Sequence, residues 1–201
     1  MPASDDPIIM PELVPTPDVL RAHFERALDL PAYLLSDQLR AEPWFKVHAR
    51  AGLTDDQRRL LGGFTRRMHV LVLSGIWCGD CAQQGPLLDR IAEVSPCIDL
   101  RWADRDEHGD LARCVRINGG ERVPVAIFMS EDFEPVSVYG DRTLSRYRAL
   151  AARNLGASCP LPGAPLPDDE LAATLQDWLD EFERVQLLLR LSPRLRQRHG
   201  D

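Results

Sequence analysis

Cys78 and Cys81 are separated by two residues in Trp77-Cys78-Gly79-Asp80-Cys81. The residues before them, His69-Val70-Leu71-Val72-Leu73-Ser74, form a short apolar run without helical period. Such a run suits a central strand buried on both faces. After them, Leu87, Leu88, Ile91 and Ala92 recur as on a helix. The first cysteine is thus placed at a helix amino terminus, where backbone N–H groups and the helix dipole stabilise a thiolate. A thiolate is the species that attacks disulfides. Cys81, one turn further on, is in reach to displace the bound partner and close an intramolecular disulfide. Cys78 is therefore assigned as nucleophile and Cys81 as resolving thiol. A Cys-x-x-Cys pair also occurs in zinc sites, but structural zinc needs about four ligands. Cys97, Cys114, His108 and Cys159 make no recognisable second pair, so neither a metal nor a cofactor is expected.

Five cysteines at irregular spacing are no disulfide framework. The chain of 201 residues, 44% apolar, is long enough for one domain with a real core and helical additions. A net charge of −7 argues against a nucleic acid or an anionic membrane as the main partner. Lys46 is the sole lysine among 24 basic residues, a bias that points to a GC-rich, bacterial source. The acidic, proline-rich start Met1-Pro2-Ala3-Ser4-Asp5-Asp6-Pro7 is no secretory signal. No window approaches the roughly 18 apolar residues of a membrane span. A soluble, cytoplasmic protein is expected, in a compartment that keeps thiols reduced.

The elements around the cysteines follow from local pattern. Thr16-Pro17-Asp18 opens a helix with Thr16 as cap and Leu20, Phe24, Ala27 and Leu28 on its apolar face; Pro31 is expected to end it. A short helix through Tyr33 to Leu39 is expected to stop before Pro43. Thr54-Asp55-Asp56-Gln57 reads as a capping box, with Leu60, Leu61 and Phe64 on the buried side of the helix it opens. Beyond the cysteines, the pattern predicts a strand over 98–102, a short helix over 110–116 and a turn at Gly119-Gly120. Strands over 123–129 and 136–139 and a helix over 144–154 follow. The first two strands should pair in parallel and the last two as an antiparallel hairpin. Ser158 to Pro167 reads as a linker, and 168–191 as a long helix. Its stripe Leu171, Leu175, Trp178, Phe182, Val185 and Leu189 is expected to dock on its own domain; the competing reading is a homodimer through this helix. The organisation is a helical extension over 1–59, a redox domain over 60–157, and a linker with a final helix over 158–201.

These features together resemble the thioredoxin superfamily over about residues 60 to 155. Trp77-Cys78-Gly79-Asp80-Cys81 looks like its Trp-Cys-Gly-Pro-Cys, with Asp80 where proline usually stands. Pro86 matches the proline of the active-site helix, Val123-Pro124 the cis-proline segment, and Gly140 the glycine after the final hairpin strand. Ser74-Gly75-Ile76-Trp77-Cys78 with Gly140-Asp141-Arg142-Thr143 resembles a bacterial thioredoxin-like group of poorly defined function. The resemblance implies an α/β thioredoxin-like fold: a mixed central sheet flanked by helices, here with extra N-terminal helices and a long C-terminal helix. It implies thiol–disulfide exchange on a protein or small-molecule disulfide, fed by a reductase or low-molecular-weight thiol. It also implies that Trp77, Gly79, Val123 and Pro124 meet the substrate.

Two departures from the family stand out. Its buried acid, six residues before the first cysteine, is replaced by Val72, and its first strand is replaced by helices. Those helices are expected to cover a sheet edge or shape the partner groove. Asp80 is the candidate to take the proton of Cys81 in place of the missing acid. Its charge should also oppose the helix's stabilisation of a Cys78 thiolate, which favours a reductant over a strong oxidant. The competing function is a binding or adaptor module that keeps the fold without broad turnover. Cys97 and Cys114 read as packed thiols, Asp141-Arg142 as a helix cap, the run Asp104 to His108 as a solvated loop, and Arg122 as either a solvated loop arginine or a contact for thiolate or substrate.

Overall fold

A computed structural model describes residues 15–155 and 169–201. The N-terminal third is helical: α1 (Pro17–Arg26), α2 (Leu30–Leu35), a 3₁₀ turn over Gln38–Arg40, α3 (Glu42–Arg50) and α4 (Asp55–Gly62). Then β1 (Met68–Ser74), α5 (Gly79–Val94), β2 (Ile98–Asp104), α6 (Gly109–Cys114), β3 (Val125–Ser130), β4 (Pro135–Gly140) and α7 (Leu144–Asn154) follow. The chain ends in α8 (Glu170–Leu191) and α9 (Pro193–His199). The sheet order is β2-β1-β3-β4. β1 pairs in parallel with β2 and antiparallel with β3, and β3 pairs antiparallel with β4. The expected mixed α/β architecture is therefore present. The uniformly buried run of β1 lies between two neighbours, as its unbroken apolar pattern requires.

Local caps explain most helix starts. Thr16 accepts from the Val19 N–H, and Thr54 and Gln57 form the reciprocal capping box. The prolines are where the structure corrects the sequence reading. Pro31 does not end α1, which stops at Arg26; it lies in the first turn of α2, capped by Asp29. Pro43 likewise sits in the first turn of α3, a helix the pattern did not show. Proline lacks an N–H but fits a first turn, where that N–H needs no intrahelical partner. The same residue therefore reads as a stop or a start. The arginines beyond α8 belong to a further short helix, α9. The Ser158–Pro167 linker lies outside the described residues.

In place of a first strand, one residue makes a bridge. Leu28 exchanges both backbone hydrogen bonds with Trp102 on the outer edge of β2, at 2.9 and 2.7 Å. This blocks that edge at mid-strand, so the N-terminal helices do cover a sheet edge. The long helix α8 packs on its own domain. Phe182 meets Phe128 of β3 edge-to-face, and Trp178 meets Tyr139 of β4. Leu175, Trp178, Phe182, Val185 and Leu189 are all buried in the shared core. A homodimer through this helix is left with Leu187, Leu188 and Leu191, which remain exposed.

Three aromatics tie the helical extension to the helix that carries the cysteines. Tyr33 of α2 stacks on Trp102 of β2, and Trp44 of α3 meets both edge-on, at centroid distances of 5.5–5.9 Å. This cluster fits under α5 because position 85 has no side chain. A Cβ on Gly85 would lie 2.2 Å from Trp44 Cζ3 and 3.0 Å from Trp102 Cη2. Helix propensity alone predicts that Gly85→Ala gains up to about 1 kcal/mol. Overpacking of about 1–3 kcal/mol should outweigh it. Urea unfolding should show a net loss of stability, whereas a gain would mean the tryptophans yield freely.

Candidate active site

Cys78 is the N-cap of α5, with extended backbone (φ −83°, ψ 122°), and Cys81 lies in the first turn. The Cys78 N–H donates to Gly75 O at 2.9 Å, and its carbonyl accepts from Ala82 N–H at 3.0 Å. Cys78 is half-buried, whereas Cys81 is fully buried. Both are free thiols. Cys78 Sγ also faces the Val123 carbonyl at 3.7 Å. The Val123–Pro124 peptide bond is cis, as the resemblance implies, and the segment sits just ahead of β3. Gly140 lets the end of β4 pass close to this segment, because a Cβ there would lie 2.4 Å from Pro124 O.

The two thiols are driven apart electrostatically. The Cys78 thiol is lowered to about 6, first by the hydrogen bond from the Cys81 thiol. Burial works against this lowering, while the backbone of Cys81 and Asp80 at the helix start supports it. The Asp80 charge raises it by the smallest of these contributions. Cys81 is pushed well up, by burial above all and then by its hydrogen bond to Cys78 and that residue's charge. The Ser74 side chain and Gly75 backbone pull it back in part. One thiol is thus ionised near neutral pH while its neighbour keeps its proton.

Asp80 is held by two arginines distant in sequence. Its Oδ2 accepts from Arg142, and its Oδ1 from Arg146 at 3.2 Å. Arg146 also bonds Glu170 of α8 at 2.6 Å. Asp141 does not cap α7; Thr143 does. The buried Asp141 carboxylate instead accepts from Tyr147, from Arg122 at 3.1 Å and from Arg142 at 3.3 Å. Burial raises the Asp141 carboxyl, and the Tyr147 and Arg122 hydrogen bonds more than reverse this, leaving it below the usual range. Arg142 is raised further above its normal value, chiefly by its bond to Asp80. The dense charge about the amino terminus of α5 is thus paired. Sequence spacing could not reveal these pairs, since Arg142 and Arg146 lie 62 and 66 residues beyond Asp80.

Trp77 is 44% exposed and folds over Gly75, where a Cβ would lie 2.5 Å from its Cε2. Arg105 stands over its ring at 4.7 Å. Beside Cys78 opens a cavity of about 320 Å³ whose walls include Leu39, Arg40, Pro43, Trp77 and Gly79. The N-terminal helices therefore shape a groove at Cys78. Trp44 Nε1 fixes the same loop by donating to Ile76 O at 3.1 Å. Of the other cysteines, Cys97 is half-buried, with its thiol 3.2 Å from Phe64 O. Cys114 is exposed and so is not the packed thiol expected. Cys159 lies outside the described residues. Among the described residues, the one three-ligand grouping suited to a metal is His48, Asp89 and Glu93 on α3 and α5, which includes neither Cys78 nor Cys81.

A family model described as thioredoxin matches residues 27–151. The chain belongs to this thioredoxin family. The match begins inside the helical extension and ends in α7. Among solved structures, a Pseudomonas aeruginosa protein of unknown function is 19% identical, with a TM-score of 0.60 over 84% of this chain and 99% of that one. An HIV epitope-scaffold is also 19% identical, with a TM-score of 0.56 over 83% of this chain and 92% of that one. These two likenesses show the thioredoxin-like fold alone. No curated protein matches the chain. No helix among the described residues is long and apolar enough to cross a membrane.

Reactivity tests the ordering of the two thiols. Iodoacetamide should label Cys78 of the reduced protein first, at a rate with a pH midpoint near 6. Below that pH the thiolate fraction and the rate should fall together, about tenfold per unit. Peptide mapping by mass spectrometry reads the site, and faster labelling of Cys81 would reverse the roles.

Proposed function

We propose that the protein is a thiol–disulfide oxidoreductase acting chiefly as a dithiol reductase in a reducing, cytoplasmic setting. The observation that carries this reading is the half-buried Cys78, lowered to about 6 at the start of α5, beside the fully buried Cys81. Cys78 thiolate attacks a substrate disulfide and expels one thiol, leaving a mixed disulfide. Cys81 then attacks Cys78, releases the second thiol and forms the Cys78–Cys81 disulfide. A reductase or a low-molecular-weight thiol restores the dithiol.

The groove beside Cys78 suits an extended, disulfide-bearing protein segment or a smaller disulfide. Trp77 and Gly79 form part of its wall. Val123, ahead of the β3 ladder and with its carbonyl facing Cys78, offers backbone hydrogen bonds in the manner of strand addition. Pro124 orients that segment. A thiol near 6 is only moderately activated; Cys-x-x-Cys nucleophiles range from about 7 in reductants to about 3.5 in the strongest oxidants. Asp80 enters as a charge two residues from Cys78, held by Arg142 and Arg146. The arginine-rich composition keeps a bacterial source as part of the reading.

Reduction of insulin with dithiothreitol as donor tests the activity. The protein should accelerate insulin precipitation, Cys78→Ser should fall to background, and Cys81→Ser should accumulate a mixed disulfide at Cys78. No acceleration by the unmodified protein would reject the reading. Asp80→Asn should lower the Cys78 pKa and raise the reduction potential. Unchanged values would reduce Asp80 to a partner of Arg142 and Arg146.

A further inference from the structure

Resolution needs Cys81 as a thiolate, yet burial holds its proton strongly. The position that carries a buried acid in the family is Val72, fully buried in β1. Two buried hydroxyls near the site loop, those of Ser74 and Tyr33, bear on Cys81 instead. Ser74 ends β1, immediately before Gly75, whose carbonyl receives the Cys78 N–H. Tyr33 comes from α2 and is held between Trp102 and Trp44, whose indole N–H binds the site loop at Ile76. Ser74 is fully buried and Tyr33 nearly so. Neither Tyr33 Oη nor Ser74 Oγ has a well-formed hydrogen bond among the described residues. Buried polar atoms left in that state call for an explanation.

Their surroundings supply one. The Ser74 side chain acts on both Cys81 and Tyr33. The Tyr33 phenol is raised chiefly by burial, lowered by Ser74, and raised further by the charges of Cys81, Asp104 and Cys78. Asp104 is the β2 residue paired in register with Ser74. Catalytic hydrogen bonds are often incomplete before the reacting complex forms.

We propose that Ser74, oriented by Tyr33, stabilises Cys81 as it changes from thiol to attacking thiolate. This inference rests on the redox reading above and deepens it. The Ser74 hydroxyl donates to the Cys81 sulfur, and the Tyr33 hydroxyl donates to Ser74 Oγ. Cys81 sulfur bonds to Cys78 sulfur, and the bond from Cys78 to the substrate sulfur breaks. The electron pair leaves with that substrate sulfur, which takes the proton given up by Cys81. The substrate disulfide is the oxidant, and the products are the Cys78–Cys81 disulfide and a substrate thiol. Ser74 and Tyr33 are positioning residues and end the step unchanged. The helical extension thus contributes a side chain to the redox centre.

The test uses the full reduced chain with Cys97, Cys114 and Cys159 replaced by serine, so that only the pair reacts. With 5,5′-dithiobis(2-nitrobenzoate), the first aryl thiolate released reports attack by Cys78 and the second reports resolution by Cys81. Ser74→Ala should leave the first phase unchanged, slow the second about tenfold and move its pH midpoint up by about one unit. Tyr33→Phe should act in the same direction, more weakly, with the first phase again unchanged. Two unaltered phases, or an equal slowing of both, would overturn the proposal. So would a second phase that slows in Asp80→Asn but not in Ser74→Ala or Tyr33→Phe, which would assign the Cys81 proton to Asp80. An unmodified pair that releases only one aryl thiolate would instead overturn the redox reading itself.

Discussion

The packing of Trp44 and Trp102 into the hollow over Gly85 couples the helical extension to the active-site helix. Apolar burial supplies the driving force, and the missing Cβ supplies the room. Once Trp44 is seated, its indole N–H reaches Ile76 O, two residues before Cys78. The same cluster holds Tyr33 in the core, and the neighbouring 3₁₀ segment supplies Leu39 and Arg40 to the cavity wall beside Cys78. Edge protection at β2, the groove wall and the burial of the Tyr33 hydroxyl therefore share one origin. The helices that replace a first strand belong to the site as well as to the sheet.

A second constraint is electrostatic. The amino terminus of α5 favours negative charge, and two candidates compete for it: Asp80 in the first turn and a thiolate at the cap. Arg142 and Arg146 hold Asp80 by both carboxylate oxygens. The thiolate at Cys78 is then supported mainly by the Cys81 thiol and the helix backbone. Because Arg146 also binds Glu170, the ion-pair chain runs from the redox motif to α8. The side chains of Asp80, Arg146 and Glu170 are 17–30% exposed, so solvent screens these pairs only in part.

The long helix α8 closes the opposite side. Its apolar stripe meets β3 and β4, and Gln186 bonds the backbone N–H and C=O of Arg66 just ahead of β1. These buried side-chain hydrogen bonds fix where the central strand begins. The strand in turn fixes the height of Ser74 and the cysteine loop. One core joins the N-terminal helices, the sheet and α8.

Local chemistry was legible in the sequence. The capping groups at Thr16 and Thr54, the unbroken run of β1, the Cys-x-x-Cys at a helix start and the span of α7 each depend on residues within a few positions. Hydrogen-bond and φ constraints act over that same range. The cis Val123–Pro124 bond was legible through family resemblance. Tertiary structure decided what depends on the return of distant chain. Pro31 and Pro43 became helix starts because the neighbouring helices had a surface to pack on. Leu28 became a bridge because β2 left an edge open. Asp80 met Arg142 and Arg146 only when the chain after β4 returned to the start of α5. Tyr33, an ordinary core aromatic by pattern, acquired a buried hydroxyl near Cys81 because two tryptophans fixed its ring, a placement that no spacing along the chain encodes.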